Sequence, residues 1–270
     1  MISRFLSRRT RQTRTTARAQ GFAHLAAGRH AEAIATLTTA LAENERDAEA
    51  LHARARAAIA SGRLDTALAD LDRAITLAPQ DADVYRTRGL LRRKLGRADD
   101  ALADLDRAVA LAPADVALLQ DRAMTHRLAD RFDAAIADYT AALALAPDDP
   151  DLWHLRGICH RKRGADVAAA RDLSEALARN PKDAYAYYNR GLARLALGQY
   201  AEAIPDFMQT IAFNPVYAEA YYHLALCQAA CGNADAARTA LRRALDLDPG
   251  LRPRAQADPA LAPFDAVSTD

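Results

Sequence analysis

Alanine returns at every thirty-fourth position from Ala33 through Ala67, Ala101, Ala135, Ala169 and Ala203 to Ala237. Other apolar positions keep the same phase. Four residues after each alanine stands a large side chain: Leu37, Leu71, Leu105, Tyr139, Leu173, Phe207 and Leu241. Three residues further on stands a small one: Ala40, Ala74, Ala108, Ala142, Ala176, Thr210 and Ala244. Twelve residues before each alanine stands Gly or Ala: Gly21, Ala55, Gly89, Ala123, Gly157, Gly191 and Ala225. Spacings of three and four gather these residues on one helix face, so each block predicts amphipathic helices. Two kinds of residue mark the stops. Gly28, Gly62, Gly96, Gly164, Gly198 and Gly232, with Asp130 as the exception, suit the left-handed conformation that ends a helix. Pro79, Pro113, Pro147, Pro181, Pro215 and Pro249 cannot continue a helix interior. Between the stops lie two helices of about 12–14 residues. A constant period of 34 residues predicts a stacked, quasi-linear array in which each unit contacts mainly its neighbours.

With each proline as repeat position 32, seven repeats cover 14–47, 48–81, 82–115, 116–149, 150–183, 184–217 and 218–251. The first has Glu45 where the others have proline. Small residues at positions 8 and 20 let the two helices cross closely. Large residues at positions 24 and 28, such as Leu71 and Ile75, build the shared core. Position 4 is mostly large, with Leu51, Tyr85, Leu119, Trp153 and Tyr187, and Trp153 is expected in that core. The whole pattern resembles the tetratricopeptide repeat family, over 238 of 270 residues. The resemblance implies an all-α, right-handed superhelical solenoid of antiparallel helix pairs, with helix A of each pair lining the concave face. Residues 1–13 are expected to be a disordered basic tail. Residues 252–270 resemble a closing segment, with Leu261 and Phe264 covering the last apolar face of the array.

One position departs from the family pattern. Position 7, often leucine, is Arg54, Arg88, Arg122, Arg156 and Arg190, and position 23 is Asp70, Asp104, Asp138, Asp172 and Asp206. The first and last repeats lack both residues. The co-occurrence predicts an Arg–Asp ion pair between the two helices of one repeat. Pairing each Asp with the Arg of the next repeat is the alternative, but it would strand Arg54 and Asp206. A guanidinium suits either arrangement, because its planar fork takes a carboxylate with two bonds. These pairs are expected to be structural; the competing reading is an arginine ladder facing an anionic ligand.

In the family, ligand contacts come from helix A positions 2, 5, 9, 12 and 13. Carried over by position, the resemblance implies partner contacts at Arg86, His154, Tyr188 and Tyr222 (position 5) and at Leu90, Met124 and Ile158 (position 9). Arg93, Arg127 and Arg161 follow at position 12, with Lys94 and Lys162 beside two of them. The central part of this face is basic with an apolar strip, and the C-terminal part is aromatic, with Tyr185, Tyr188 and Tyr222. The expected partner is therefore another protein, held through an extended, partly acidic segment by Arg and Tyr anchors. An accessory subunit gripping a folded partner by its convex face or edges is the alternative. Chaperone-binding members use a Lys and Asn clamp. Position 9 has no Asn here and Asn189 stands alone at position 6, which argues against that partner.

The formal net charge of +1 is uneven. Arg4, Arg8, Arg9, Arg11, Arg14 and Arg18 fill the first 18 residues without an acid, and setting those six aside takes the remainder from +1 to −5. That tail could touch nucleic acid or an anionic surface. Its composition also suits an organelle presequence if the source is eukaryotic. The dominance of Arg over Lys looks instead like a GC-rich bacterial genome. Three cysteines without a CxxC pair argue against a disulfide framework and for a reducing cytoplasm. Cys227 sits at a small-residue packing position. His24, His126 and His160 share position 11 but lack the third ligand a metal site needs. No phosphate-binding glycine loop, GxSxG or HExxH occurs, so no enzyme activity, cofactor, metal or small-molecule substrate is expected. No run of 18 apolar residues predicts a transmembrane helix.

Overall fold

The computed structural model describes residues 17–265. The basic residues before them, and the tail expected over 1–13, lie outside the described residues. Among those described, every regular element is helical. Helix α1 runs over 17–26. It is followed by α2 (His30–Glu43), α3 (Ala48–Ala60), α4 (Leu64–Leu77), α5 (Ala82–Lys94), α6 (Ala98–Leu111) and α7 (Val116–Leu128). Then come α8 (Phe132–Leu145), α9 (Pro150–Lys162), α10 (Asp166–Arg179), α11 (Ala184–Ala196), α12 (Tyr200–Phe213), α13 (Ala218–Ala230) and α14 (Ala234–Leu247). A 3₁₀ turn (Pro249–Leu251) leads into the short α15 (Arg252–Ala257) and α16 (Ala262–Asp265). The chain divides into two compact units, Met1–Ala129 and Asp130–Asp270.

In each unit successive helices pack on one another. The periodic alanines Ala33, Ala67 and Ala101 of the first unit, and Ala135, Ala169, Ala203 and Ala237 of the second, are fully buried. The large residues four positions on are buried with them. Close crossing is visible at Gly191, where an added Cβ would lie 2.9 Å from ring carbons of Phe207. The large ring occupies the space that the small residue leaves. The helix stops behave as the pattern predicts. Gly62 has φ +75°, and the amide of Arg63 returns to the Ala58 carbonyl at 2.8 Å. Asp130, standing in the glycine position, takes φ 55°, a region that Asp enters more readily than most residues. Helix α12 continues through Pro205.

A capping signal accompanies four of the six periodic prolines, and Glu45 in the first repeat. Asp47, Asp81, Asp115, Asp149 and Asp183, two residues after positions 45, 79, 113, 147 and 181, accept backbone N–H bonds at the starts of α3, α5, α7, α9 and α11. Tyr217 holds the same place before α13 and makes no side-chain cap.

The end of the second unit is closed by its own chain. Leu251, Ala255 and Leu261 join Leu241 and Leu245 of α14 in one buried cluster, with Phe264 packed against it.

Candidate functional site

Four arginines form forks within the two units. Arg54 reaches Asp70 with two bonds of 2.7 Å. Arg88 reaches Asp104 at 3.0 and 2.6 Å, and Arg156 reaches Asp172 at 2.7 and 2.9 Å. Arg190 donates Nη2 to Asp206 at 2.6 Å. The partner is the aspartate sixteen residues on in each case. These carboxylates are almost wholly shielded from solvent. Arg92 and Arg194 each add a further bond, to Asp104 and Asp206, both at 2.8 Å.

The remaining nitrogen, Nη1, reaches backward to the preceding helix. Its acceptors are Thr38 from Arg54, Asp72 from Arg88, Asp106 from Arg122, Thr140 from Arg156 and Ser174 from Arg190. Each of those arginines therefore ties two stacked layers together. Sequence reasoning missed this half of the ladder, although a signal was present. A polar acceptor stands sixteen residues before each of the five arginines, and Met208 stands sixteen before Leu224, where the arginine is missing.

On the helix A face of the first unit, Arg86 is bound to Asp121 of α7 at 2.6 Å. Arg93 donates to the Asp121 carbonyl and the Thr125 hydroxyl, both at 3.2 Å. Arg127 lies against the Met124 sulfur at 2.9 Å, and its Nε is buried without a hydrogen bond. Leu90 and Met124 are half-buried.

In the second unit, His154 Nδ1 meets Asp183 at 2.7 Å. Burial opposes ionisation of Asp183, but bonds from His154 and from the Ala186 and Tyr185 amides outweigh it and hold this carboxyl below its usual value. Arg161 donates to the Asn189 side-chain oxygen at 3.2 Å, and Asn189 donates to the Tyr185 carbonyl at 2.8 Å. Ile158 is half-buried. Tyr188 packs against Tyr217 with ring centroids 4.8 Å apart and the planes tilted by 53°, and Tyr185 is exposed. Burial, and then the neighbouring Tyr217, push the Tyr188 phenol up, so it remains a hydrogen-bond donor at neutral pH.

Two expected placements are corrected. Tyr222, expected among the aromatic partner contacts, is only 1% exposed. The closing segment folds over it, with the Arg254 guanidinium 4.2 Å above its ring. Trp153, expected in the core, is half-buried between the guanidiniums of Arg156 and Arg179, at 4.8 and 5.2 Å, and donates its indole N–H to the Pro147 carbonyl. Its polar edge needed that partner.

The position 5 side chains are thus largely committed to the next layer: Arg86 to Asp121, His154 to Asp183 and Tyr188 to Tyr217. The position 12 arginines differ. Among the described residues, Arg93, Arg127 and Arg161 have no carboxylate partner; their hydrogen bonds go to neutral groups. No group of three or more His, Cys, Asp or Glu with metal-holding geometry occurs among the described residues. Cys159 and Cys227 are buried and Cys231 is exposed.

A helix pair of this length, small where it crosses, stopped by a left-handed residue and reset by Pro-x-Asp, defines a helical-repeat protein. The chain belongs to the tetratricopeptide repeat family. Family models described as tetratricopeptide repeat match residues 18–82, 54–124, 116–159, 166–213 and 194–257. No curated protein matches the sequence. Similar solved structures include the C-terminal part of a TPR repeat-containing protein from Cytophaga hutchinsonii, at TM-score 0.74 and 17% identity over 86% of this chain and 95% of that one. YrrB, described as a TPR protein with an unusual peptide-binding site, gives TM-score 0.61 and 23% identity over 70% of this chain and 98% of that one. A crystal structure of MamA gives TM-score 0.58 and 24% identity over 61% and 96%. No described helix is long and apolar enough to cross a membrane.

Proposed function

We propose that this protein is a non-enzymatic interaction scaffold that holds an extended, partly acidic segment of a partner protein on its helix A face. The observation that carries the reading is the contrast between two sets of arginines. Those at position 7 are neutralised by buried aspartates, whereas Arg93, Arg127 and Arg161 are half-buried cations with only neutral partners. A cation held this way gains most from a carboxylate brought by a partner, because the surrounding protein has already displaced much of its water. Leu90, Met124 and Ile158 offer half-buried apolar surface one turn away. Tyr185 and Tyr188 add aromatic anchors in the second unit.

The test is peptide selection on the intact chain, followed by replacement of Arg93 and Arg127 in one variant and Arg161 in another by Ala. Selected peptides should be rich in Asp or Glu, and each variant should weaken binding by about 1–3 kcal/mol. Selection of peptides without acids, or affinity unchanged in both variants, would discard the reading.

A further inference from the structure

The outer edge where α10 meets α11 differs in charge from the α4–α5 and α6–α7 edges. Helix α10 presents Val167, Arg171 and Ser174 there, and α11 presents Arg194 and Arg190, with Leu197 capping its end. Two contacts fix the antiparallel register. Arg190 Nη1 donates to the Ser174 hydroxyl at 3.1 Å, and Val167 and Leu197 line one shared cleft with Arg171. Arg194 falls at the intermediate register. The edge therefore runs from an apolar end, through paired arginines, to a hydroxyl.

At the corresponding places the α4–α5 and α6–α7 edges are acidic. Asp65 and Asp99 stand there where Val167 stands, and Asp72 and Asp106 where Ser174 stands, while Thr38, Thr140 and Met208 hold the latter place on the α2–α3, α8–α9 and α12–α13 edges. The α4–α5 edge shows what the acids do. Arg88 and Arg92 face the buried Asp104, and Asp72 closes the balance by taking Arg88 Nη1 at 2.6 Å. Arg190 and Arg194 likewise share one buried carboxylate, Asp206, but meet Ser174 in place of that second aspartate. Arg171 adds a third cation where Ala69, Ala103 and Ala137 stand elsewhere. Among the described residues its ion-pair partner is Asp172 at 3.9 Å, whose oxygens are already held by Arg156. Asp166, on the first turn of α10, lines the cleft itself. Val167 is 71% exposed and Leu197 is also solvent-exposed.

We infer that this edge is a second docking surface, for a protein segment that carries an aliphatic residue flanked by acidic ones. The aliphatic side chain enters the cleft between Val167 and Leu197. A carboxylate then settles beside Ser174, where aspartate stands on the α4–α5 edge, bonded by the free nitrogens of Arg194, with a second acid on Arg171. Charge complementarity selects the acids, and the exposed apolar pair selects a peptide over a plain polyanion. The inference stands independently of the helix A face.

The probe is an array of short peptides with one Leu or Ile flanked by Asp or Glu in every register. Matched arrays carry Lys for the acids or Ser for the aliphatic residue. The full chain is applied labelled, and the best binders are measured in solution by fluorescence anisotropy. Val167→Asp and Arg171→Glu alter exposed side chains, so neither threatens folding. Binding should require both features, weaken about tenfold in each variant, and persist when Arg93, Arg127 and Arg161 are replaced by Ala. Absence of binders, or binders indifferent to Val167→Asp and Arg171→Glu, overturns the inference. So does equal binding of a short DNA duplex that responds to Arg171→Glu but not to Val167→Asp, since that would mark a surface for polyanions.

Discussion

Arg156 and Asp172 meet through two parallel hydrogen bonds of 2.7 and 2.9 Å, and the carboxylate has no exposure to solvent. A third bond carries Arg156 back to Thr140 on α8. One side chain thus joins two stacked layers through an ion pair that water does not reach.

Losing one partner of this pair should be far worse than losing both. Arg156→Met leaves a buried carboxylate alone and should cost about 3–5 kcal/mol. The double variant Arg156→Met, Asp172→Leu should recover most of that loss. Urea midpoints of the three proteins check it; equal costs for single and double variants would contradict a buried, coupled pair.

The crossing at Gly191 should be set by the size of its partner. Gly191→Ala places a methyl group 2.9 Å from a rigid ring and should cost about 1–3 kcal/mol. Phe207→Leu in the same chain should relieve the strain, because Ala55 with Leu71 and Ala225 with Leu241 already combine those residue types. A thermal-melt double-mutant cycle measures the coupling.

His223 should make stability depend on pH. Burial chiefly, and then the charge of Arg254, lower its pKa, while its bond to the Glu219 carbonyl opposes the shift. Its Nδ1–H donates to that carbonyl at 2.7 Å and its Nε2 lies 3.2 Å from Arg254 Nη2, an arrangement that suits the neutral ring. The unfolded ring, with a pKa of about 6.5, binds more protons than the folded one below that value. This contribution is therefore complete above about pH 6.5 and is lost as pH falls toward the folded pKa. His52 and His160 are lowered as well, burial being the largest cause, and act in the same direction. Denaturant midpoints across pH 5–8 should decline on the acid side, less steeply for His223→Gln.

Ending the chain at Asp248 should uncover Tyr222, Leu241 and Leu245 together. The expected result is a lower melting temperature, increased binding of an apolar dye and a tendency to self-associate. Replacing Leu261 alone by Asp should give a weaker form of the same behaviour, because it buries a charge in that cluster.

Much of the fold was legible without coordinates. Helix stops, crossing points and core faces obey local rules of conformation and size, and a period of 34 residues repeats each signal enough to set its phase. The Arg–Asp pairing was legible too, because both residues vanish from the same repeats. The candidate site was only partly so. Arg86, His154 and Tyr188 occupy family contact positions, yet each spends its polar group or ring on the next layer.

By itself, then, the sequence determined the helices, their stops and the residues that face inward, since backbone preference and apolar spacing act over a few residues. Only the tertiary structure decided which cations of the helix A face are neutralised. Arg86 and Arg161 both stand at expected contact positions, but the first meets a carboxylate and the second an amide. The balance of charge around a side chain depends on neighbours brought in from other helices, and stacking alone supplies them.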